Sequence, residues 1–212
     1  MNFETTNLVA SFVIGDGSLP MSGKEARYSC KQISTHEDYI LWQAEILERI
    51  TPVNVSRKDA YVDKNGVNHK ATISVETRSH PFFTTLRERN YFQGRKTISI
   101  HDVKNFDWQS LAIWYMDDGY ILRSKFSYHS GNVFLCTDNF THAEVLMLQK
   151  IIYGKFELPF SLIKRGETYR LQLKSKFSQP FLDGIAPFVF PSFHYKLHTE
   201  GSLAEARDGG IV

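Results

Sequence analysis

The sequence has few cysteines and lacks a long apolar run. Two cysteines, Cys30 and Cys136, occur in 212 residues, far apart and without metal-ligand spacing, and the eight histidines show no zinc spacing either. A zinc-cluster fold is therefore excluded, and a reducing compartment is the default expectation. Because nothing approaches the roughly 20 consecutive apolar residues that cross a bilayer, no membrane span is predicted. The amino terminus resembles neither a signal peptide nor a transit peptide.

The chain also lacks a large excess of charge of either sign. The chain has 25 Lys and Arg against 23 Asp and Glu, so its formal net charge is only +2. Composition alone does not indicate a nucleic-acid-binding protein, and the distribution of the charges matters more. A chain of this length forms one large domain or two domains of about 100 residues each. Its hydrophobic content of 42% is typical of a folded globular protein.

One short stretch occurs twice in the chain. The first copy runs from Leu8 to Gly17 and the second from Ser110 to Gly119. Each copy is an apolar run that ends in Asp-Gly, which predicts a helix that is buried on nearly all sides. We expect Gly17 and Gly119 to end these helices, because glycine adopts the left-handed conformation at low cost.

The aspartates of the two copies, Asp16 and Asp118, are expected at helix C-terminal ends, where partial negative charge disfavours a carboxylate. Small residues near the start of each copy (Ala10, Ser11 and Ala112) would let two such helices pack closely and bring the carboxylates together. Such a cluster needs a cation, and ligation by oxygen alone favours Mg²⁺. One Asp-Gly pair would indicate a simple turn after a buried helix, but two matched copies favour a metal site.

The whole chain repeats with a period near 100 residues. The matched pairs are Asp16 and Asp118, 102 residues apart, Ser79 and Ser178, 99 apart, Lys96 and Lys196, 100 apart, and Cys30 and Cys136, 106 apart. A period of this length indicates two copies of a half-domain rather than a solenoid. We predict an N-terminal half with its linker over residues 1–107 and a C-terminal half with a tail over residues 108–212.

Both halves predict the element order αββαββα, an α+β fold with two small antiparallel sheets that rest on helices. The elements predicted after the first core helix are strands within 18–34, a helix over 36–50, strands over 53–62 and 71–77, and a helix that Ser79 caps with Pro81 in its first turn. A polar connection is predicted over 90–107. The elements predicted in the second half are strands over 120–128 and 132–137, a helix over 141–156, strands over 160–164 and 168–174, and a helix over 178–185.

The paired stretches resemble the motifs of the LAGLIDADG homing endonucleases, over about residues 6–198. The second copy, Leu-Ala-Ile-Trp-Tyr-Met-Asp-Asp-Gly, is similar to the form in single-chain members of that family. The first copy departs from the family name with Ile14 at the sixth motif position, and the second departs with Ile113 at the glycine position. Asp117 stands where a small residue is usual, and the shared Asp-Gly pair places the motif aspartate at Asp118.

The resemblance implies a monomer in which two αββαββα halves form a pseudo-twofold saddle on double-stranded DNA, with the motif helices at the seam between the halves. It implies catalysis with Mg²⁺ or Mn²⁺, with metal-bound water attacking one phosphate of each strand and leaving short 3′ overhangs. The implied metal site consists of Asp16, Asp118, Gly15 and Asp117.

Lys96 and Lys196 each follow the last helix of their half, 80 and 78 residues after the motif aspartate. A lysine beside a metal-bound phosphate stabilises negative charge or tunes the attacking water, and the resemblance places such lysines in the active sites. The neighbouring Arg95 is an alternative to Lys96, and surface lysines that flank turns are the simpler interpretation. By the same resemblance, Gln32 and Asp138 are polar side chains near the cleavage sites, although Asp138 is equally explained as a helix cap.

Basic and polar side chains are concentrated in or beside the predicted strands. A two-stranded ribbon fits the DNA major groove, where Arg, Lys, Asn and Gln read base edges. The predicted DNA-binding residues are Lys24, Arg27, Lys31, Arg57, Lys58, Lys70, Arg123, Lys125, His129, Arg165, Arg170, Gln172 and Lys174. For any one of these residues a solvated sheet face is the simpler explanation, but the repeated set favours DNA.

Two other functions remain open on the same scaffold. One is an intron RNA maturase, which is an RNA-binding splicing cofactor, and the other is a DNA-binding regulator without catalysis. Binding alone requires neither the paired aspartates nor the paired lysines, so the complete set favours a nuclease.

Overall fold

The computed structural model describes residues 3–123 and 131–197. The helices in these ranges are α1 (Phe3–Ile14), α2 (Glu37–Glu48), α3 (Pro81–Asn90), α4 (Ile100–Val103), α5 (Trp108–Asp118), α6 (His142–Phe156) and α7 (Ser178–Ile185). The strands are β1 (Met21–Ser22), β2 (Glu25–Ala26), β3 (Ser29–Ile33), β4 (Val53–Lys58), β5 (Tyr61–Val62), β6 (Asn68–His69), β7 (Thr72–Thr77), β8 (Tyr91–Phe92), β9 (Arg95–Lys96), β10 (Gly119–Arg123), β11 (Gly131–Leu135), β12 (Ser161–Arg165) and β13 (Thr168–Leu173). None of the helices in these ranges combines the length and the apolar character needed to cross a membrane.

Two antiparallel sheets carry the fold, which confirms the predicted α+β class. The first has the strand order β3-β7-β4, and the second has the order β10-β11-β13-β12. The two strands predicted within 18–34 are present in short pieces: the β1–β2 hairpin, strand β3 and one bridge between Ser18 and Ser29. Helix α2 packs on the first sheet and helix α6 packs on the second. Each sheet therefore has a helix-packed face and an opposite face, which we call the open face.

The alternation of side chains along the strands decides which residues lie on each open face. In β7, Ile73 and Val75 are fully buried against the helices, whereas Ser74 between them is partly exposed. In β13, Leu171 and Leu173 are buried, and Gln172 between them is partly exposed. Residues that pair with these positions across the ladders share the same face.

The two motif helices, α1 and α5, are buried along most of their length and pack against each other. Ala10, Ser11 and Ala112 are at most 2% exposed, as expected for small residues within a pair of core helices. Near the start of this helix pair, Asn7 Nδ2 donates a hydrogen bond to Ser110 Oγ at 3.1 Å. The predicted pair of core helices is therefore present, and its C-terminal ends converge.

The glycines after the motif helices do not have the predicted left-handed conformation. Gly119 is extended, with φ −95° and ψ 152°. Gly17 is likewise not one of the described glycines that have positive φ. Glycine is needed here for close approach: a Cβ at Gly17 would lie 2.5 Å from the Phe12 carbonyl oxygen, and one at Gly119 would lie 2.1 Å from the Tyr115 ring. The chain thus turns directly from each helix into its sheet.

The stretch predicted as a polar connection over residues 90–107 is instead folded. It contains the β8–β9 hairpin and helix α4, and Ile98, Val103 and Phe106 are buried in the core. Gln93 and Gly94 both have positive φ, 50° and 78°, which is the backbone of a tight hairpin turn. The sequence prediction failed because the apolar residues here are too widely spaced to show a helical or strand period.

The helices of the second half begin and end close to their predicted limits. Helix α6 carries a capping box, in which Thr141 Oγ1 accepts the Glu144 amide and the Glu144 side chain accepts the Thr141 amide. Helix α7 and the β12–β13 hairpin also lie where the sequence predicts them. Strand β10 ends at Arg123, and the rest of the strand predicted over 120–128 lies outside the described residues.

The N-cap of helix α3 is one residue later than predicted. Pro81 lies in the first turn, as expected, but it is the first residue of the helix: His80 is the N-cap, and its Nδ1 accepts a hydrogen bond from the Phe82 amide at 3.2 Å. Ser79 was the wrong choice because the first-turn proline fixes the start of the helix immediately after residue 80.

We therefore expect His80→Ala to lower the free energy of unfolding by about 1 kcal/mol, the usual cost of losing an N-cap acceptor. Ser79→Ala is the matched control, and its effect should stay within about 0.5 kcal/mol. Urea denaturation followed by circular dichroism measures both values. If Ser79→Ala lowers the free energy of unfolding as much as His80→Ala or more, Ser79 is the N-cap.

Candidate functional site

A cavity of about 180 Å³ lies at the converging C-terminal ends of α1 and α5. Gly15 and Asp16 line it from the first motif, Asp118 from the second, and Lys96 from strand β9. The remaining wall residues are Ile14, Cys136, Thr137, Asp138, Asn139 and Phe140. Residues that the sequence places about 100 positions apart therefore share one small polar space.

The carboxylates repel one another at this place. Burial, followed by the charge of Asp16, raises the pKa of Asp118 to about 6, while Lys96 and Lys196 act in the opposite direction. Burial and Asp16 also raise the pKa of Asp117 well above its ordinary value. The negative ends of the two helix dipoles point to the same region. The site is therefore one where added positive charge is stabilising.

Asp117 is directed into the seam between the motif helices. Its Oδ2 accepts the Asp16 amide at 3.1 Å and a weak hydrogen bond from the Tyr39 hydroxyl at 3.4 Å. A Cβ at Gly15 would lie 2.0 Å from the same oxygen, so the glycine of the first motif makes room for the aspartate of the second. Asp117 Oδ1 is shielded from solvent and has no hydrogen-bond partner among the described residues. This geometry favours Asp118 over Asp117 as a metal ligand.

Both predicted lysines reach the carbonyl ends of the motif helices. Lys96 Nζ donates to the carbonyl oxygens of Gly15 and Gly17, each at 2.8 Å. Lys196 Nζ donates to the Met116 carbonyl at 2.5 Å and to the Tyr115 carbonyl at 3.4 Å. Burial lowers the pKa of both lysines, and the neighbouring aspartates oppose that change. Each ammonium group offsets the negative helix end of its own half.

The alternative candidate Arg95 is engaged elsewhere. Its Nη1 donates to Glu144 Oε2 at 3.2 Å and to the Asn139 carbonyl at 3.1 Å. Gly15, the fourth predicted metal-site residue, contributes its carbonyl oxygen to Lys96. Lys96 therefore lines the cavity, and Arg95 fixes the chain segment that carries Lys96.

Gln32 and Asp138 occupy equivalent repeat positions but have different contacts. Gln32 Nε2 donates to Asp16 Oδ2 at 2.6 Å. Asp138 accepts hydrogen bonds from Arg170 Nε at 2.7 Å and from Thr168 Oγ1 at 3.0 Å. The helix cap near Asp138 is Thr141, so the capping explanation for Asp138 does not hold. The two sides of the site thus differ in charge and in hydrogen bonding.

His36 lies beside the site, and the sequence analysis does not single it out. It is 6% exposed, and its Nδ1 lies 3.2 Å from Gln32 Oε1. Its ring stacks on Phe193 with 3.8 Å between the centroids. Burial and the charge of Lys196 lower its pKa. The available signal was a Cys-Thr-His repeat, in which Cys30, Thr35 and His36 recur 106 residues later, but spacing alone does not show which copy is buried.

The open face of the first sheet carries a preformed basic groove of about 240 Å³. Its walls are Lys31, Ile33, Lys58, Tyr61, His69, Lys70 and Thr72. The Tyr61 and His69 rings stack 4.6 Å apart, and Lys58 Nζ lies 4.1 Å from the Tyr61 ring centroid. Three predicted DNA-binding lysines are therefore brought together with two aromatic side chains.

Two other basic residues of the first half are paired with acids. Arg27 forms an ion pair with Glu76 on the open face. Arg57 pairs with Ile73 across the ladder and therefore lies on the helix-packed face, where its Nε donates to Glu37 Oε1 at 3.0 Å. The expectation that Arg57 is part of the open reading surface is wrong, because strand alternation turns it to the helix side. Lys24 is exposed at the tip of the β1–β2 hairpin.

In the second sheet, Arg170 and Gln172 lie on the open face, and Arg165 and Lys174 are exposed at strand ends. Hydrogen bonds to Asp138 and to the Tyr120 hydroxyl raise the pKa of Arg170 above its ordinary value. Arg123 is the last residue of β10. The predicted contacts Lys125 and His129 lie outside the described residues.

The chain has recognisable relatives in sequence. A family model described as the LAGLIDADG DNA endonuclease family matches residues 9–181. Cytochrome b mRNA maturase bI2 of Debaryomyces hansenii is 25% identical over 201 residues, which cover 92% of this chain and 73% of the maturase. DNA endonuclease I-ChuI of Chlamydomonas applanata is 23% identical over 205 residues, which cover 90% of this chain and 93% of the endonuclease.

A solved structure shares the fold. The homing endonuclease I-WcaI bound to its DNA recognition sequence superposes with a TM-score of 0.77 at 21% sequence identity, covering 92% of this chain and 85% of that one. The paired helices and sheets described above are therefore similar to those of a known DNA-bound fold.

We expect Asp118→Asn to stabilise the metal-free protein at neutral pH. The pKa of the wild-type carboxyl is raised to about 6 in the folded state. Between about pH 4 and pH 6 this carboxyl is therefore protonated in the folded state and ionised in the unfolded state. Wild-type stability therefore falls as the pH rises through this window, by up to about 3 kcal/mol at roughly 1.4 kcal/mol per unit. The asparagine variant avoids this loss.

The measurement is urea denaturation of both proteins in EDTA at pH 4 and pH 8. The pH 4 comparison is the internal control, because both side chains are then neutral and the two stabilities should agree. A variant that is less stable than wild type at pH 8 would mean that the carboxylate is structural.

Proposed function

Because the chain belongs to the LAGLIDADG DNA endonuclease family, as its paired motifs predicted, we propose that it is a site-specific homing endonuclease. It binds a long asymmetric double-stranded DNA target as a monomer and makes a double-strand break with short 3′ overhangs in a metal-dependent reaction. The observation that carries the proposal is the convergence of Asp16, Asp118 and the two lysines at the ends of α1 and α5.

The residues at the helix ends fit a hard divalent cation, Mg²⁺ or Mn²⁺. Asp16 and Asp118 supply oxygen ligands, and a cation stabilises the ionised form of Asp118, which burial and the charge of Asp16 disfavour. Among the described residues, no three His, Cys, Asp or Glu side chains are grouped to hold a metal by themselves. A site with two carboxylates is compatible with Mg²⁺, which usually coordinates one or two protein carboxylates and otherwise binds water and substrate phosphates. A bound divalent metal polarises a phosphate and lowers the pKa of water.

The other residues at the helix ends have roles that follow from their contacts. Lys96 and Lys196 place positive charge where negative charge develops on a reacting phosphate. Gln32 fixes the orientation of the Asp16 carboxylate through its 2.6 Å hydrogen bond. Asp138, neutralised by Arg170, lines the cavity that also holds Lys96. Because Gln32 is neutral and Asp138 is ion-paired, the reacting phosphates of the two DNA strands would contact chemically different side chains.

The open faces of the two sheets supply DNA recognition in this proposal. The groove formed by Lys31, Lys58, Lys70, Tyr61 and His69 offers cationic groups for phosphates and hydrogen-bond donors for base edges. Arg170 and Gln172 offer the same chemistry on the second sheet. Each sheet contacts one arm of the target.

RNA maturation is the second candidate function, since one of the similar proteins is a cytochrome b mRNA maturase. RNA binding would use the same basic surfaces without need of the aspartates at the seam. The crowding of buried carboxylates at the helix ends costs stability, and a binding protein gains nothing from that cost. The nuclease therefore explains more of the site, and a dual role remains compatible with it.

The decisive experiment is incubation of the protein with supercoiled DNA that carries its own uninterrupted insertion site, with Mg²⁺ or with EDTA. We expect linear product only with Mg²⁺. Asp16→Asn and Asp118→Asn should abolish double-strand cleavage while retaining site binding in Ca²⁺. Lys96→Met and Lys196→Met should slow cleavage by about 10²-fold, the scale of losing one placed catalytic group.

Wild-type cutting rates in both asparagine variants would overturn the assignment of the site. Absence of cutting by a folded wild-type protein, together with tight binding to its intron RNA, would favour the maturase. Normal cutting by both methionine variants would make the lysines structural caps of the motif helices.

The two open faces should read opposite arms of the target. We expect Lys70→Ala to weaken base preference in one arm and Gln172→Ala in the other, each by about 1–3 kcal/mol at the affected position. A residue that contacts only phosphate would weaken binding to all sequences and reduce the salt slope by about one. The measurement is relative affinity over a library of single-base target variants at fixed salt.

Arg57→Ala is the matched control, because that side chain pairs with Glu37 on the helix-packed face. It should leave every base preference unchanged. If Lys70→Ala and Gln172→Ala behave like this control, the sheet faces do not read base edges.

A further inference from the structure

The segment that carries Lys96 is held by the other half of the chain. The Ile98 amide, two residues after the lysine, donates to Glu144 Oε1 at 3.0 Å. Arg95, the residue before the lysine, donates through Nη1 to Glu144 Oε2 at 3.2 Å. The two oxygens of a single carboxylate, at the start of α6 in the second half, therefore hold both sides of Lys96.

The segment that precedes Lys196 is held by the first half through a contact four residues before the lysine. The Ser192 amide donates to Asp38 Oδ2 at 3.2 Å. Beside this contact, Phe193 is 1% exposed and stacks on His36. Asp38 lies in the first turn of α2, as Glu144 lies in the first turn of α6. Carboxylates are favoured at this end of a helix by the helix dipole.

Asp38 and Glu144 are themselves a repeat pair. They are 106 residues apart, the same separation as Cys30 and Cys136, and each lies two residues after the histidine of the Cys-Thr-His repeat. The repeat thus gives each half an acid that faces the lysine-bearing segment of the other half. Each lysine is fixed twice, by its ammonium group on its own motif helix and by its backbone segment on the opposite half.

We propose that Glu144 and Asp38 are positioning residues that set Lys96 and Lys196, respectively, across the two halves. Neither carboxylate reaches the cavity, so each acts through the lysine segment that it holds. The catalytic consequence of this arrangement rests on the proposed nuclease function, but the anchoring itself does not. Loss of one anchor should free one lysine and leave the other in place, which a general loss of stability would not do.

Lysine reactivity tests the anchoring without any DNA or metal. The full chain is treated briefly with an amine-acylating reagent at a temperature below the midpoint of thermal unfolding of the protein. Acylation at Lys96 and Lys196 is then quantified by peptide mass spectrometry. Glu144→Ala should raise the acylation rate of Lys96 severalfold and leave Lys196 unchanged, and Asp38→Ala should do the reverse. Glu144→Gln keeps an acceptor for the Ile98 amide and should restore most of the protection.

Two control variants separate anchoring from helix stability and from charge. Thr141→Ala removes the N-cap hydroxyl of α6 and keeps the Glu144 carboxylate, so it should lower the unfolding midpoint without selective exposure of Lys96. Glu45→Ala removes an exposed negative charge from the same helix as Asp38 and should leave both lysines protected. Equal exposure of both lysines in either anchor variant, or exposure of neither, would overturn the proposal.

Strand-resolved cleavage tests the catalytic consequence. On a target labelled on both strands, Glu144→Ala should slow the cut that Lys96→Met slows, and Asp38→Ala the cut that Lys196→Met slows. Combining Glu144→Ala with Lys96→Met should add little to Lys96→Met alone, because both changes act on one group. Additive losses would overturn the positioning role. A wild-type protein that does not cut would refute the proposed function, while the acylation result would still decide the anchoring.

Discussion

The concentration of negative charge at one point is the constraint on which the rest of the structure depends. Two helix C-termini and the carboxylates of Asp16, Asp117 and Asp118 meet between the two halves, and burial together with the charge of Asp16 raises the pKa of Asp117 and of Asp118. Two ammonium groups donate hydrogen bonds to the carbonyl oxygens at these helix ends and offset part of the negative charge. The lysines are therefore part of the reason why the motif helices can end side by side, in addition to any part in chemistry.

Close packing at the seam is achieved by complementary residues. Gly15 and Asp117 are equivalent motif positions, and the carboxylate of one fills the space left by the missing side chain of the other. A symmetric pair would fail here: two aspartates would collide, and two glycines would leave the Asp16 amide without this acceptor. The departure of the second motif from the usual small residue is thus explained by packing across the seam.

Much of the fold followed from the repeat, because buried helices ending in Asp-Gly and the 102-residue spacing leave few alternatives. The lysines were found by the same spacing. Arg57 was misplaced because sequence alone does not fix which side of a strand faces the helices, and β4 turns it toward Glu37. The fold of residues 90–107 was missed because its apolar residues have no period. His36 was overlooked because its burial depends on Phe193, which lies 157 positions away.

The crossed docking of the lysine segments limits how such a chain can be recombined. A chimera that joins the first half of one relative to the second half of another brings together anchors and segments that were never adjusted to each other. The graft must match in two places besides the helix seam: the acid at the start of α6 against the chain around Ile98, and the acid at the start of α2 against the chain around Ser192. The two halves are therefore not independent modules, because each one carries the anchor for the lysine segment of the other.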